Sequence, residues 1–192
     1  MLAYQTYDLS TVFLLLVLLV ATITDFRRHR IPNWLTFGSL ICGLTLQTVF
    51  LGGDGLLSGM AGAGIGLAVL LPFFLLGGMG AGDVKLMAAV GSIIGFKTVV
   101  LAAAVAVCFA GLYAITLIVV KGEWSSFLQR YVVSLQTRHY VAPGSGSVAQ
   151  TRFPFALAIA GGTLTALAMM SQLDFYNLSS ELSYQWQLWG VK

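Results

Sequence analysis

TVVLAAAVAVCFAGLYAITLIVV, residues 98–120, lies between Lys97 and Lys121 and holds no charged residue. A helix needs about 20 predominantly apolar residues to cross a bilayer, within a range of roughly 17–25. This stretch meets that length unaided. Outward from it, the uncharged runs 31–53, 55–82 and 153–173 are also long enough. The run 9–24 becomes long enough if its helix continues one turn toward Asp25. The run 86–96 is too short alone, but Lys85 and Lys97 at its two ends can extend outward and lengthen it.

Composition agrees with this reading. Of the 192 residues 58% are hydrophobic and 9% are charged, whereas soluble domains carry about 25% charge. The 22 glycines also suit membrane helices, where Gly is commoner than in soluble ones. A soluble enzyme, a nucleic-acid-binding domain and a disordered chain are excluded. Cys42 and Cys108 each sit inside an apolar run and offer neither a disulfide framework nor a zinc site. No basic region precedes the first run and no small-residue cleavage site precedes Asp25, so it reads as a retained helix rather than a secretory signal.

Charge placement orients the spans. With six spans and the N-terminus outside, eight of the ten basic residues fall on the cytoplasmic side, leaving only Lys97 and Lys192 outside. If 86–96 does not cross, the split falls to six against four. Cytoplasmic loops carry the excess of Lys and Arg, which favours six spans. The expected fold is an all-α membrane protein, a polytopic bundle of about six transmembrane helices. It forms a single membrane-embedded domain over residues 1–192. Its spans are expected at about 9–25, 33–52, 56–77, 83–97, 98–120 and 153–173, followed by a polar tail at 174–192. The cytoplasmic loop 121–152 carries Trp124, Phe127, Leu128, Tyr131 and Leu135 on one helical face. That amphipathic face suits the membrane surface, or equally a neighbouring span.

Three charged residues then remain at cytoplasmic helix ends: Asp25, Asp83 and Lys85. Asp25 closes the first span, and Asp83 opens the fourth after Gly77-Gly-Met-Gly-Ala-Gly82. The topology brings both carboxylates to one membrane face, the first condition for a catalytic pair. Plainer readings exist for each. Asp25 can pair with Arg27, Arg28 or Arg30, and Asp83 can cap a helix N-terminus. Gly80 and Gly82 permit close backbone approach or a positive φ that would set Asp83 in a cleft. Equally, Gly78-x-x-x-Gly82 can serve helix packing. The two histidines, His29 and His139, cannot assemble a zinc hydrolase. No metal and no cofactor is expected.

At this point three stretches resemble the bacterial type IV prepilin peptidases, within the wider Gly-x-Gly-Asp intramembrane aspartyl proteases. Asp25-Phe-Arg-Arg-His-Arg-Ile-Pro-Asn33 is similar to the segment around the family's first catalytic Asp. Gly80-Ala-Gly-Asp83-Val-Lys85-Leu-Met matches the segment around the second. Arg152-Phe-Pro154-Phe155 resembles the basic-x-Pro-aromatic approach to the last span, although Ala156 stands where the family often has Gly. A bare Gly-x-Gly-Asp is weakly specific; two extended motifs in order on one face are strongly so. The resemblance covers about residues 9–172.

The resemblance implies an aspartic endopeptidase with Asp25 and Asp83 as catalytic residues, supported by Gly80, Gly82, Lys85, Arg152 and Pro154. It implies a pilin-like precursor as protein partner, cut at the cytoplasmic face of the bacterial inner membrane, with membrane lipid and no nucleic acid as the other surroundings. Oligomeric state is not specified. Bifunctional members add a cysteine-bearing cytosolic domain and methylate the product. With 24 residues before Asp25 and no cysteine cluster, this chain is similar to the short peptidase-only branch, including enzymes serving Flp-type (tight-adherence) pili. The rival from another class is a transporter or a non-enzymatic assembly component. All seven acids lie at span ends, in loops or in tails, which leaves a proton relay without a deep carboxylate.

Overall fold

The computed structural model describes residues 2–76, 78–120 and 155–170. They form four helices: α1 (Leu2–Arg28), α2 (Asn33–Leu75), α3 (Ala81–Val120) and α4 (Phe155–Met169). Among the described residues there is no strand. Stretches of three of these helices, Leu9–Arg28, Asn33–Leu75 and Ala81–Leu117, are long and apolar enough to cross a membrane, and α4 is a shorter apolar helix. The amphipathic loop at 121–152 and the tail at 174–192 lie outside the described residues.

α2 and α3 are each interrupted by a glycine. Gly52 has φ 64° and ψ −143°, and Gly95 has φ 77° and ψ 175°. Both lie at positive φ, which a residue with a Cβ adopts only at a steric cost. At Gly52 the chain folds back on itself. Gly59 lies so close to Leu44 that a Cβ added there would be 3.0 Å from Leu44 Cδ2. In an unbroken helix those residues would be about 22 Å apart. The second half of α2 then descends along the first half of α3: Gly59 faces Ser92, Gly62 faces Gly91 and Gly66 faces Met87. After Gly95 the direction changes again. Gly162 of α4 packs on Ala102 and Ala106, and Gly161 packs on Phe109. The breaks at Gly52 and Gly95 fall near the ends expected for the second and fourth spans.

The first half of α3 occupies the centre. Leu86, Met87, Ala89 and Val90 are fully enclosed, and Ser92 is too, its hydroxyl donating to Ala89 O at 2.7 Å. This explains how so short an uncharged run is accommodated: protein, rather than lipid, surrounds it. Gln47 secures its upper end by donating from Nε2 to Ile93 O at 2.8 Å. α1 and α4 flank it, with Leu14, Val17, Leu18 and Ala21 of α1 and Ile159, Thr163 and Leu167 of α4 buried. The outer surface is apolar, with Leu16, Leu19, Ile41, Leu57 and Leu157 each more than half exposed. Contiguous apolar surface of this kind belongs in a bilayer.

The backbone contact between Gly62 and Gly91 leaves no space for a side chain on either residue. Gly64, on the same helix, has nothing within 4 Å of an added Cβ. Gly62→Leu is expected to destabilise the protein by about 3 kcal/mol or more, and Gly64→Leu by little. Thermal unfolding in detergent measures the contrast, and equal midpoints for the two variants would exclude this packing.

Candidate active site

α1 places Asp25 by helical periodicity. Leu14, Val17, Leu18, Ala21 and Asp25 follow one stripe, and all five are buried. Asp25 is therefore on the face that α1 turns to its neighbours, while Phe26, Arg27 and Arg28 are exposed. The helix ends one turn later, where His29 takes φ 48° and donates its N–H to Asp25 O at 2.8 Å. A left-handed residue closing a helix in this way leads the chain out of the axis. The chain then crosses Ile31 and Pro32 to open α2 at Asn33.

Asp83 is the third residue of α3 and is also buried. Its Oδ2 accepts the Gly80 N–H at 3.0 Å, and its own N–H donates to Gly80 O at 3.1 Å. This is one arm of a capping box, a carboxylate reaching back from the third helical position to the N-cap N–H. The helix-capping reading of Asp83 thus describes one of its oxygens. Asp25 is engaged similarly, by a helix from elsewhere in the chain. Its Oδ2 accepts the N–H of Ala156, in the first turn of α4, at 3.1 Å. Among the described residues neither carboxylate makes another hydrogen bond, and no ion pair joins Asp25 to Arg27, Arg28 or Arg30. The two carboxylates come from different helices, and the packing of Ile31 against Gly82 brings the end of α1 to the start of α3. One oxygen of each remains available.

The glycines act through their missing side chains rather than through φ. A Cβ at Gly80 would lie 3.3 Å from Asp83 Oδ2, and one at Gly82 would lie 3.2 Å from Ile31 Cβ. Gly80 therefore makes room for the cap, and Gly82 lets the segment between α1 and α2 pass over the start of α3. Neither has a positive φ. Asp83 sits in regular helix, not on an irregular turn, and Gly78 precedes α3, so Gly78 and Gly82 form no shared helical packing face. Lys85 touches neither carboxylate. Its Nζ donates to Asn33 Oδ1 at 3.1 Å and lies 5.4 Å from the centroid of the Phe37 ring, tying α3 to the opening of α2. Arg152 and Pro154 lie outside the described residues.

Three contributors were not singled out in sequence: the Ala156 N–H, Asn33 and Ile31. Asn33 stands within the first motif and Ala156 directly after the third, so motif proximity was their only signal. Among the described residues no three His, Cys, Asp or Glu side chains gather where they could hold a metal ion. The site offers two enclosed carboxylates, each steadied by a backbone N–H, at one end of a helical bundle.

Residues 12–115, more than half of the chain, match the type IV leader peptidase family. The match takes in both aspartates, the opening of α2 and the central half of α3. No curated protein and no solved structure matches the sequence. The length of the family match, spanning both carboxylates and the helices that hold them, makes this chain a member of the type IV leader peptidase family, aspartic-type membrane peptidases that act on protein substrates.

Proposed function

We propose that this protein is an intramembrane aspartic endopeptidase that removes the leader peptide of type IV pilin-like precursors, with Asp25 and Asp83 as its catalytic pair. The observation that carries the reading is the burial of two carboxylates from different helices at one pole, each with one oxygen held by a backbone N–H and one unengaged. Two neighbouring carboxylates share one proton, because both cannot ionise readily at close range. The ionised member takes a proton from water as that water attacks the scissile carbonyl carbon. The protonated member donates a hydrogen bond to the carbonyl oxygen and stabilises its developing charge. Collapse of the tetrahedral intermediate breaks the C–N bond, and a proton from the pair passes to the leaving amine. Lys85 supports the site by holding α3 against Asn33, rather than by touching substrate. Arg152 and Pro154 are assigned to the cytoplasmic mouth on sequence grounds alone. The reaction proposed is hydrolysis of the leader peptide bond.

The membrane placement follows the charge distribution. Six crossings of the bacterial inner membrane, with both termini outside, put Arg27, Arg28, Arg30 and Lys85 at the cytoplasmic face together with the carboxylates. The fold-backs at Gly52 and Gly95 support six, because each divides a long apolar helix into two stretches of opposed direction. The precursor's basic leader and the start of its apolar helix would meet the site at that face. Reporter tags at residues 54 and 185 are expected to read as external, and a cytoplasmic reading at either position would refute this topology.

Asp25→Asn and Asp83→Asn are each expected to reduce cleavage of a pilin precursor by about 10³-fold or more, with the double variant hardly worse, because residues acting as a unit are strongly non-additive. The amide introduced by Asp83→Asn keeps an oxygen for the Gly80 N–H, and Asn caps a helix about as well as Asp. Insertion and the unfolding midpoint should therefore stay near parental values. Near-parental cleavage by either correctly inserted Asn variant would exclude the catalytic pair.

A further inference from the structure

At the pole opposite the carboxylates lies a cavity of about 340 Å³, within the usual range for small-molecule sites. Its polar lining includes Ser10, Thr11, Ser58, Lys97 and Thr98. Thr98 is 3% exposed, yet its hydroxyl has no hydrogen-bond partner among the described residues. That is unusual in this protein. Thr24, Thr45, Thr48, Thr116, Thr163 and Thr165 each donate to a carbonyl four residues back. Thr98 lacks that option because its fourth predecessor, Ile94, precedes the break at Gly95. The hydroxyls of Ser10, Thr11 and Ser58 are likewise unpartnered among the described residues. A buried polar group without a partner costs about 1–3 kcal/mol, so the buried Thr98 hydroxyl, with the half-buried hydroxyls of Ser10, Thr11 and Ser58 beside it, points to an absent acceptor.

Other features of the cavity specify its charge and shape. Lys97 stands at its rim, exposed, with its ammonium 5.8 Å from the Phe96 ring centroid and no carboxylate partner among the described residues. No Asp or Glu is among the described residues that line it. The second half of α3 starts at Phe96, so the positive end of its helix dipole also lies here. Leu14, Phe50, Leu51 and Leu167 supply an apolar wall. An anionic occupant, rich in acceptor oxygens and apolar at one end, matches this lining. Ser10 precedes Asp25 by fifteen residues of continuous helix, about 22 Å along α1. This places the cavity near the other face of a hydrocarbon layer about 30 Å thick.

We propose that this cavity binds the phosphate of an anionic phospholipid headgroup, with Lys97 and Thr98 as its anchors. Lys97 donates charge-assisted hydrogen bonds to the phosphate, Thr98 and the other hydroxyls donate to its remaining oxygens, and the lipid's glycerol and first methylenes lie on the leucines. The site is separate from the carboxylate pair and does not depend on what that pair does.

Native mass spectrometry of the full chain in detergent, titrated with phosphatidylglycerol, tests the proposal. One saturable lipid per chain is expected, bound in preference to phosphatidylcholine. Lys97→Ala and Thr98→Val should each weaken binding about tenfold, the effect of losing one such hydrogen bond, whereas Thr98→Ser should retain it. Lys97 is exposed, so its replacement leaves the core intact and decides the matter if Thr98→Val fails to fold. Unchanged affinity in Lys97→Ala would overturn the site. Displacement of the lipid by an equal concentration of inorganic phosphate would overturn the lipid assignment and mark a free-anion site.

Discussion

The contact between the backbones of Gly62 and Gly91 is the constraint on which the remaining architecture rests. Lipid tails are as apolar as leucine, so helices in a bilayer gain little by hiding apolar side chains from one another. They associate where they fit closely, and closeness here requires glycine on both partners. With α2 drawn onto α3 along Gly59, Gly62 and Gly66, the first half of α3 is enclosed by protein. Only an enclosed helix can present a carboxylate near its start to the interior of the bundle. The position of Asp83 is thus a result of a glycine contact made farther along the same helix.

Both carboxylates meet the low-dielectric environment in the same way, through a backbone N–H at a helix opening. Gly80 supplies it to Asp83 from the same helix, and Ala156 supplies it to Asp25 from a distant one. A main-chain donor at a helix N-terminus stabilises an anion while contributing no titratable group. An arginine in the same place would form an ion pair and hold the carboxylate permanently charged. Arg27, Arg28 and Arg30 instead remain exposed around the site. Among the described residues, this separation leaves neither carboxylate in an ion pair.

The sequence made legible the helical class and the apolar spans, and it singled out two aspartates that the structure buries, because each of these readings depends on charge in an apolar background. It did not reveal which face of each helix is internal. In a membrane protein both the lipid-facing and the core-facing sides are apolar, so the stripe from Leu14 to Asp25 has no contrasting polar face to mark it. Glycine was similarly ambiguous. Gly52, Gly62 and Gly80 are indistinguishable as letters, yet one reverses the chain, one permits backbone contact and one clears space for a carboxylate. The Ala156 contact was hidden for a different reason: a main-chain donor has no side-chain signature, and 131 residues separate it from its acceptor.

That separation has a consequence in time. The chain is made from its N-terminus, so α1, α2 and α3 are complete before α4 exists. A partly synthesised protein holding both aspartates still lacks the N–H that steadies Asp25, and α4 has not yet covered the flank of α3 where Ala102 and Ala106 lie. Of the described helices, the last to be made is therefore the one that completes the surroundings of the first carboxylate. Order of synthesis alone leaves Asp25 without this donor until α4 is in place.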